Sequence, residues 1–281
     1  MVVTDSFTHD GVLGLRFGYS IPGMPTLFVY QYFVDGLLID TGQRKAQKRI
    51  LQANENLEVE QLFITHFHED HSGNIKALQE LHGCEAYAST ETCRIMKDPP
   101  RISFVQQWLW GKREACATLV PVEGVIKTSG HTFELIPIPG HAPDMVALYE
   151  PDKKWLFSAD LFVNTYIGYF LPDESVWQQM ESIKKVLQLD FNILFCSHKP
   201  QLTEGREALQ KKLDFLSTFF EQVAAQHARG YSEKEIFKNL GLKENRMVKW
   251  LSGKHLSKMN MVRSVIRDIE EREIKKKKNE V

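Results

Sequence analysis

The chain has 281 residues, 43% of them apolar and 25% charged, a length for one large domain or two modest ones. That apolar fraction excludes a disordered chain, and 17 Gly with 11 Pro excludes a low-complexity one. Net charge is −1, so the whole chain has no strong preference for polyanions, but residues 1–203 carry 17 Lys and Arg against 24 Asp and Glu while residues 204–281 carry 18 against 12.

Short apolar runs bounded by Gly, Pro or Asp predict strands at Val12–Phe17, Leu27–Phe33 and Leu37–Ile39, followed by a helix at Gln43–Ala53. A strand at Leu62–Thr65 and a helix at Asn74–Leu81 come next. Phe104, Trp108 and Leu109 then stand at helical spacing, for which packing into a core is the expected role. Strands at Phe133–Ile138, Met145–Tyr149 and Trp155–Ser158, a helix at Ser175–Leu189 and a strand at Ile193–Cys196 complete a layered α/β body over 1–203. From Gly205 onward the strand signal stops. Helices are predicted at Ala208–Ala225, at Glu233–Leu240 (opened by Ser232 and Glu235 at capping-box spacing), at Asn245–Leu251 and at Leu256–Ile269, with a solvated tail at Lys275–Lys278. Residues 204–281 therefore read as a helical, basic subdomain, winged-helix-like in outline.

Cys84, Cys93, Cys116 and Cys196 form no close pair, which argues against a disulfide framework and against a CxxC metal knuckle, and for a reducing compartment. The opening MVVTDSFTHDG has no basic segment followed by an apolar run. No apolar stretch reaches the roughly 18–20 residues that span a bilayer. The expectation is a soluble, cytoplasmic protein without a membrane partner; its oligomeric state is not readable.

Chemistry concentrates in Phe63-Ile64-Thr65-His66-Phe67-His68-Glu69-Asp70-His71-Ser72-Gly73. Three histidines and a carboxylate follow directly on an apolar strand, and imidazole with carboxylate suits zinc and its first-row neighbours. Alternation lets His66 and His68 face one position while Asp70 and His71 address a second. Four ligands so close in the chain do not reach one ion without severe strain, so two metals are the natural reading. Glu69 alternates away from His68 and Asp70 and is not read as a base. His9, His82, His131, His227 and His255 read as surface or structural, and Cys196 as a small buried hydrophobe.

The stretch His66-x-His68-x-Asp70-His71 resembles the signature of the metallo-β-lactamase-fold hydrolases, over roughly 12–200. Leu38-Ile39-Asp40-Thr41-Gly42, Pro139-Gly140-His141, Phe157-Ser158-Ala159-Asp160 and Cys196-Ser197-His198 resemble that family's further elements, in its order. The resemblance implies an αββα sandwich with the helical C-terminal subdomain appended. It implies one metal on His66, His68 and His141, a second on Asp70, His71 and His198, Asp160 bridging them, and Asp40 orienting ligands by hydrogen bonding. Zinc is the first expectation, with iron or manganese as alternatives. Ala159 stands where the family has Gly, and Ala142-Pro143-Asp144 replaces its usual Thr-x-Gly. The Gly-His-Gly setting of the last histidine in glyoxalase relatives is missing here.

By this resemblance the chain is a binuclear hydrolase. A metal-bridging hydroxide, flanked by Asp70 and Asp160, would attack a small activated ester. A thioester of the hydroxyacylglutathione-hydrolase kind comes first, because a thiolate with pKa near 8.5 leaves without help, and a lactone second. His71 stands where true β-lactamases carry a cysteine, which argues against antibiotic hydrolysis. Expected substrate walls are Tyr19–Thr26, Arg101–Lys112 with Trp108 and Trp110, and Asn164–Phe170 with Tyr166, Tyr169 and Phe170. The alternative is a metal-dependent endonuclease, since Arg229–Lys278 holds 15 Lys and Arg against 7 acids. A packing role for those helices is favoured over RNA or DNA binding. A third reading is a non-catalytic metal-binding regulator.

Overall fold

The structure is a computed structural model and describes residues 2–19, 27–102, 104–252 and 255–279. Three antiparallel strands come first: β1 (Val2–His9), β2 (Val12–Tyr19) and β3 (Leu27–Val34). Asp10 and Gly11 both take positive φ, 48° and 83°, and Asp35 and Gly36 repeat this with 46° and 80°. Two successive left-handed residues fit the twist of a tight hairpin, and Asp-Gly adopts them cheaply. β1, which the strand prediction omits, is thus announced by its turn. Next come β4 (Leu37–Ile39), a 3₁₀ turn at Arg44–Ala46, α1 (Gln47–Asn54), β5 (Gln61–Ile64) and α2 (Ile75–His82). They are followed by β6 (Glu85–Ala88), α3 (Thr90–Lys97), α4 (Phe104–Trp110) and β7 (Val120–Pro121). The seven strands form one sheet in chain order, parallel from β4 onward.

β8 (Val125–Lys127), β9 (Thr132–Pro137), β10 (Val146–Glu150), β11 (Trp155–Ala159), α5 (Val176–Val186) and β12 (Ile193–Cys196) follow. They give a second sheet in the order β12-β11-β10-β9-β8, with β11 and β12 parallel. The period of two assigns the faces. Phe63, Leu148, Trp155, Phe157 and Phe195 fill the core between the sheets, while their neighbours Leu62, Ile64, Ala147, Leu156 and Leu194 point outward to the helices. This is the expected αββα layering.

The C-terminal part is α6 (Gly205–His227), α7 (Glu233–Asn239), α8 (Arg246–Leu251) and α9 (Lys258–Asn279). The Ser232–Glu235 capping box is formed. The first turn of α9 is held by the Glu244 carboxylate, which accepts from Ser257 Oγ at 2.5 Å, Lys258 N at 3.1 Å and Met259 N at 3.3 Å. α9 runs past the predicted end at Ile269 and takes in Lys275–Lys278. Leu209, Leu213, Leu216, Val223, Val262 and Val265 belong to the same outer core as Met180 and Ile183 of α5.

One expectation is overturned. Phe104 is 83% exposed and Trp108 48% exposed, so neither is core. Gln106 and Trp110, two residues farther on each time, line a cavity instead, and half a turn away from them the other face of α4 meets solvent.

Candidate metal centre

Every predicted site residue follows the end of a strand. Asp40 comes directly after β4, His66 to His71 after β5, His141 after β9, Asp160 directly after β11 and His198 after β12. Two backbone features shape these turns. Gly140 has φ +134°, and a Cβ there would lie 2.4 Å from the Gln179 backbone nitrogen, so only glycine lets this turn lie against α5. Ala159 carries φ 45°, a left-handed conformation costing an alanine roughly 1–2 kcal/mol; Ser197 N donating to its carbonyl at 3.2 Å helps to hold it. That conformation accounts for a glycine in its place elsewhere in the family resembled.

The turns bring seven side chains together. Ligand-capable atoms of His66, His68 and His141, of His66, His71 and Asp160, and of Asp70, His71 and His198 lie within 4.8 Å of one another in each group. Hydrogen bonds on the far side of the His66, His71, His141 and His198 rings orient them. Asp40 accepts from Thr65 N at 2.9 Å and from Thr65 Oγ1 at 2.9 Å and 3.0 Å. His71 Nδ1 donates to Asp40 Oδ2 at 2.8 Å, which leaves His71 Nε2 as a lone pair. The oxygen of Thr65, its own proton committed to Asp40, accepts from His66 Nδ1 at 3.1 Å. His141 Nδ1 donates to Glu174 at 3.1 Å, and His198 Nδ1 to the Phe28 carbonyl at 2.5 Å.

The opposite ring nitrogens then face one another. His68 Nδ1 sits 3.1 Å from His66 Nε2 and 3.0 Å from His141 Nε2. Asp160 reaches both groups, with Oδ2 at 3.3 Å from His141 Nε2 and 3.2 Å from His198 Nε2, and Oδ1 at 3.5 Å from His71 Nε2. Asp70 lies 3.7 Å from His71 Nε2 and 3.8 Å from His198 Nε2.

Buried polar atoms without a partner are costly, and His71 Nε2 and Asp160 Oδ1 are both buried without a hydrogen-bond partner. A divalent cation satisfies all of them at once. This nitrogen and oxygen donor set fits one.

The protonation energetics agree. Burial, reinforced by the neighbouring imidazoles, pushes His66 and His68 well below the usual histidine range. For His71 burial works the same way, but Asp160, Asp70 and Asp40 outweigh it and raise the group well above that range. His198 likewise loses from burial and gains more from Asp160, rising to about 9. In His141 burial is outweighed by Glu174. Burial alone would raise Asp160, yet His198 and His71 hold it well below the usual carboxylate range. The carboxylates draw positive charge to the points where the lone pairs meet, and metal and protons compete for them.

Five supporting residues escape sequence reading. Glu174 holds His141, and Thr65 links Asp40 to His66. Asp144 accepts from Phe67 N at 2.9 Å inside the histidine loop. The Arg113 guanidinium lies 3.7 Å from Glu69 and donates to the Phe67 carbonyl at 3.3 Å. Lys212, 1% exposed, donates to the Leu161 carbonyl at 2.6 Å just after Asp160. Local signals exist only for Thr65, inside the motif, and for Glu174, next to the helix-opening Ser175.

Of the expected walls, Trp110, Tyr166, Tyr169 and Phe170 do line the cavity in front of the cluster, together with Phe67. Residues 20–26 of the Tyr19–Thr26 wall lie outside the described residues.

With this geometry, the likeness to known proteins is informative. The sequence profile described as Metallo-beta-lactamase superfamily matches residues 24–198. A hydroxyacylglutathione hydrolase of Bdellovibrio bacteriovorus is 26% identical over 163 residues, covering 57% of this chain and 57% of that protein. Hydroxyacylglutathione hydrolase GloC of Haemophilus influenzae is 28% identical over 185 residues, covering 60% of this chain and 82% of that one. This chain thus spans little more than half of the Bdellovibrio relative. Among solved structures, a metallo-beta-lactamase from Pontibacter korlensis superposes with a TM-score of 0.60 at 19% identity, over 77% of this chain and 99% of that one.

Proposed function

The chain belongs to the metallo-beta-lactamase superfamily, and on that premise we propose that it is a binuclear hydrolase, zinc first, cleaving a small activated ester. A thioester of the hydroxyacylglutathione kind stands before a lactone. The observation that carries this reading is the convergence of ring nitrogens from His66, His68 and His141, joined through Asp160 to His71, His198 and Asp70, beside a largely apolar cavity. His66, His68 and His141 would hold one ion and Asp70, His71 and His198 the other, with Asp160 reaching both.

Bound divalent ions supply Lewis acidity, lowering the pKa of water from about 15.7 toward 7 and polarising a carbonyl oxygen. The protein's own part is orientation. Asp70 borders the cavity and accepts a hydrogen bond from the attacking water, turning its lone pair to the substrate carbon. Asp160 balances charge between the clusters, while Asp40, Thr65 and Glu174 keep the rings from rotating. Phe67, Tyr169 and Phe170 exclude bulk water, which strengthens every electrostatic contact beneath them. A thiolate departs unprotonated, so no dedicated acid is needed.

Residues 1–203 carry the site in this reading, and the helices of 204–281 wall it. A walled cavity suits a small molecule better than a nucleic-acid strand. The four cysteines are free, which supports a reducing compartment such as the cytoplasm. No described helix is long and apolar enough to cross a membrane.

Chelator-stripped protein is expected to lose turnover of acyl thioesters, and reconstitution with zinc, iron or manganese to restore it, with elemental analysis giving two ions per chain. Metal-replete protein inert toward a panel of thioesters, esters and lactones would sink the proposal. Cleavage of single-stranded RNA by the same preparation would move the assignment to a nuclease.

A further inference from the structure

The cavity in front of the cluster has a volume of about 740 Å³, within the range that accepts drug-sized molecules. Val248 and Ser252, one turn apart on α8 and just beyond it, line it together with Leu256, and so do Ile167, Tyr169 and Phe170 from the loop after β11. The two segments are fastened to each other. Phe170 N donates to the Ser257 carbonyl at 3.1 Å, Ser257 N returns a bond to the Phe170 carbonyl at 3.2 Å, and Asn260 Nδ2 donates to the same carbonyl at 2.9 Å. The loop after β11 is thus tied to the start of α9, directly beyond the segment that carries Leu256.

The buried charges of the lining are largely spent on the protein itself. Arg113, its side chain 5% exposed, faces Glu69 at 3.7 Å and donates to the Phe67 carbonyl and, at 2.6 Å, to the Pro100 carbonyl. Lys212 donates to the Leu161 carbonyl. Glu174 accepts from His141, from Gln179 at 2.8 Å and from Leu171 N at 2.8 Å. The buried cations Arg113 and Lys212 are thus engaged with protein acceptors, while Arg101 stands exposed where the lining meets solvent. Apolar surface makes up most of the rest.

We propose that the acyl part of the substrate is an unbranched apolar chain of medium length, lodged between the loop after β11 and α8, and that Val248 and Leu256 set its length. This rests on the hydrolase reading for its chemistry but not for its binding. Each methylene that leaves water for the pocket is worth about fourfold in affinity or in kcat/KM, until the chain meets α8.

The test uses S-acyl-N-acetylcysteamine thioesters from acetyl to dodecanoyl on the full chain. On the metal-loaded protein, kcat/KM is expected to climb about fourfold per methylene to an optimum and then fall once the chain meets α8. Val248→Trp moves that optimum at least two carbons shorter. Val248→Ala and Leu256→Ala, which remove bulk instead of adding it, move it longer. On metal-stripped protein, where nothing is cleaved, calorimetry is expected to show the octanoyl thioester binding at least tenfold tighter than the acetyl one. A negative heat-capacity change should accompany it.

Octanoyl binding without turnover on the loaded protein would overturn the hydrolase reading and leave the chain pocket standing. Turnover with a flat chain-length profile, no octanoyl binding, or preference for S-lactoylglutathione over the octanoyl thioester would overturn the pocket and leave the hydrolase reading standing.

Discussion

Asp144 shows how much of a metal loop is settled by a residue that touches no metal. Its carboxylate is buried and accepts from Phe67 N between two of the histidines, while its other oxygen has no hydrogen-bond partner. Burial pushes the group up to about 6. In the fold it therefore holds a proton more tightly than in the unfolded chain between about pH 4 and pH 6. Its contribution to stability falls as pH rises through that window, by up to about 3 kcal/mol. Asp144→Asn keeps an oxygen for Phe67 N and removes the titration. The melting temperature of the variant minus that of the wild type is expected to grow by several degrees from pH 4 to pH 7; a pH-independent difference would refute this. Sequence alone places Asp144 in a departure from the family pattern and says nothing of its contact, because Phe67 lies 77 residues away. The His66–His71 cluster and Asp40 were legible for the opposite reason, as a dense local pattern at a strand end. Lys212 makes a contact with the Leu161 carbonyl that no spacing encodes.

At the scale of elements, the apolar runs of β2, β3, β9 and β11 and the helices α5 and α7 are readable, since each carries its own composition and punctuation. β6 (Glu85–Ala88), β7 (Val120–Pro121) and β8 (Val125–Lys127) lack the continuous apolar run that marks the equally short β4, β5 and β12. α4 fails differently. A spacing of three or four says which side chains share a face, not what that face meets, and Phe104 and Trp108 meet solvent because Gln106 and Trp110 take the inward side. Phe104→Gln is expected to change unfolding free energy by less than about 0.5 kcal/mol. Phe63→Ala, between the sheets, should cost about 3–5 kcal/mol. Urea titrations of the two variants decide it, and a loss above about 2 kcal/mol for Phe104→Gln would restore the core reading.

At the scale of the molecule, the basic C-terminal helices tie into the site through α5. Asp268 of α9 accepts from Ser175 Oγ at 2.7 Å and from Trp177 N at 2.9 Å, and Ser264 accepts from Val176 N at 2.9 Å. Three donors in the first turn of α5 are thus satisfied from α9, a role that a local residue usually fills. Arg267 donates to the carbonyls of Pro172 at 2.7 Å and Glu174 at 2.6 Å, and Glu174 in turn orients His141. Meanwhile Leu209, Leu213 and Leu216 of α6 cover Met180 and Ile183. Removing residues 204–281 would strip an apolar face and leave the α5 terminus and the Glu174 turn without partners. Each large side chain uncovered forfeits roughly 1.5–3 kcal/mol, against a total stability of about 5–15 kcal/mol for a typical domain. A chain ending at Thr203 is therefore expected to be insoluble, or to lose cooperative thermal unfolding and metal uptake together. A 1–203 fragment that melted cooperatively and took up zinc with the affinity of the full chain would show that the body carries its metal centre unaided, and that the contacts from α9 to Glu174 are dispensable.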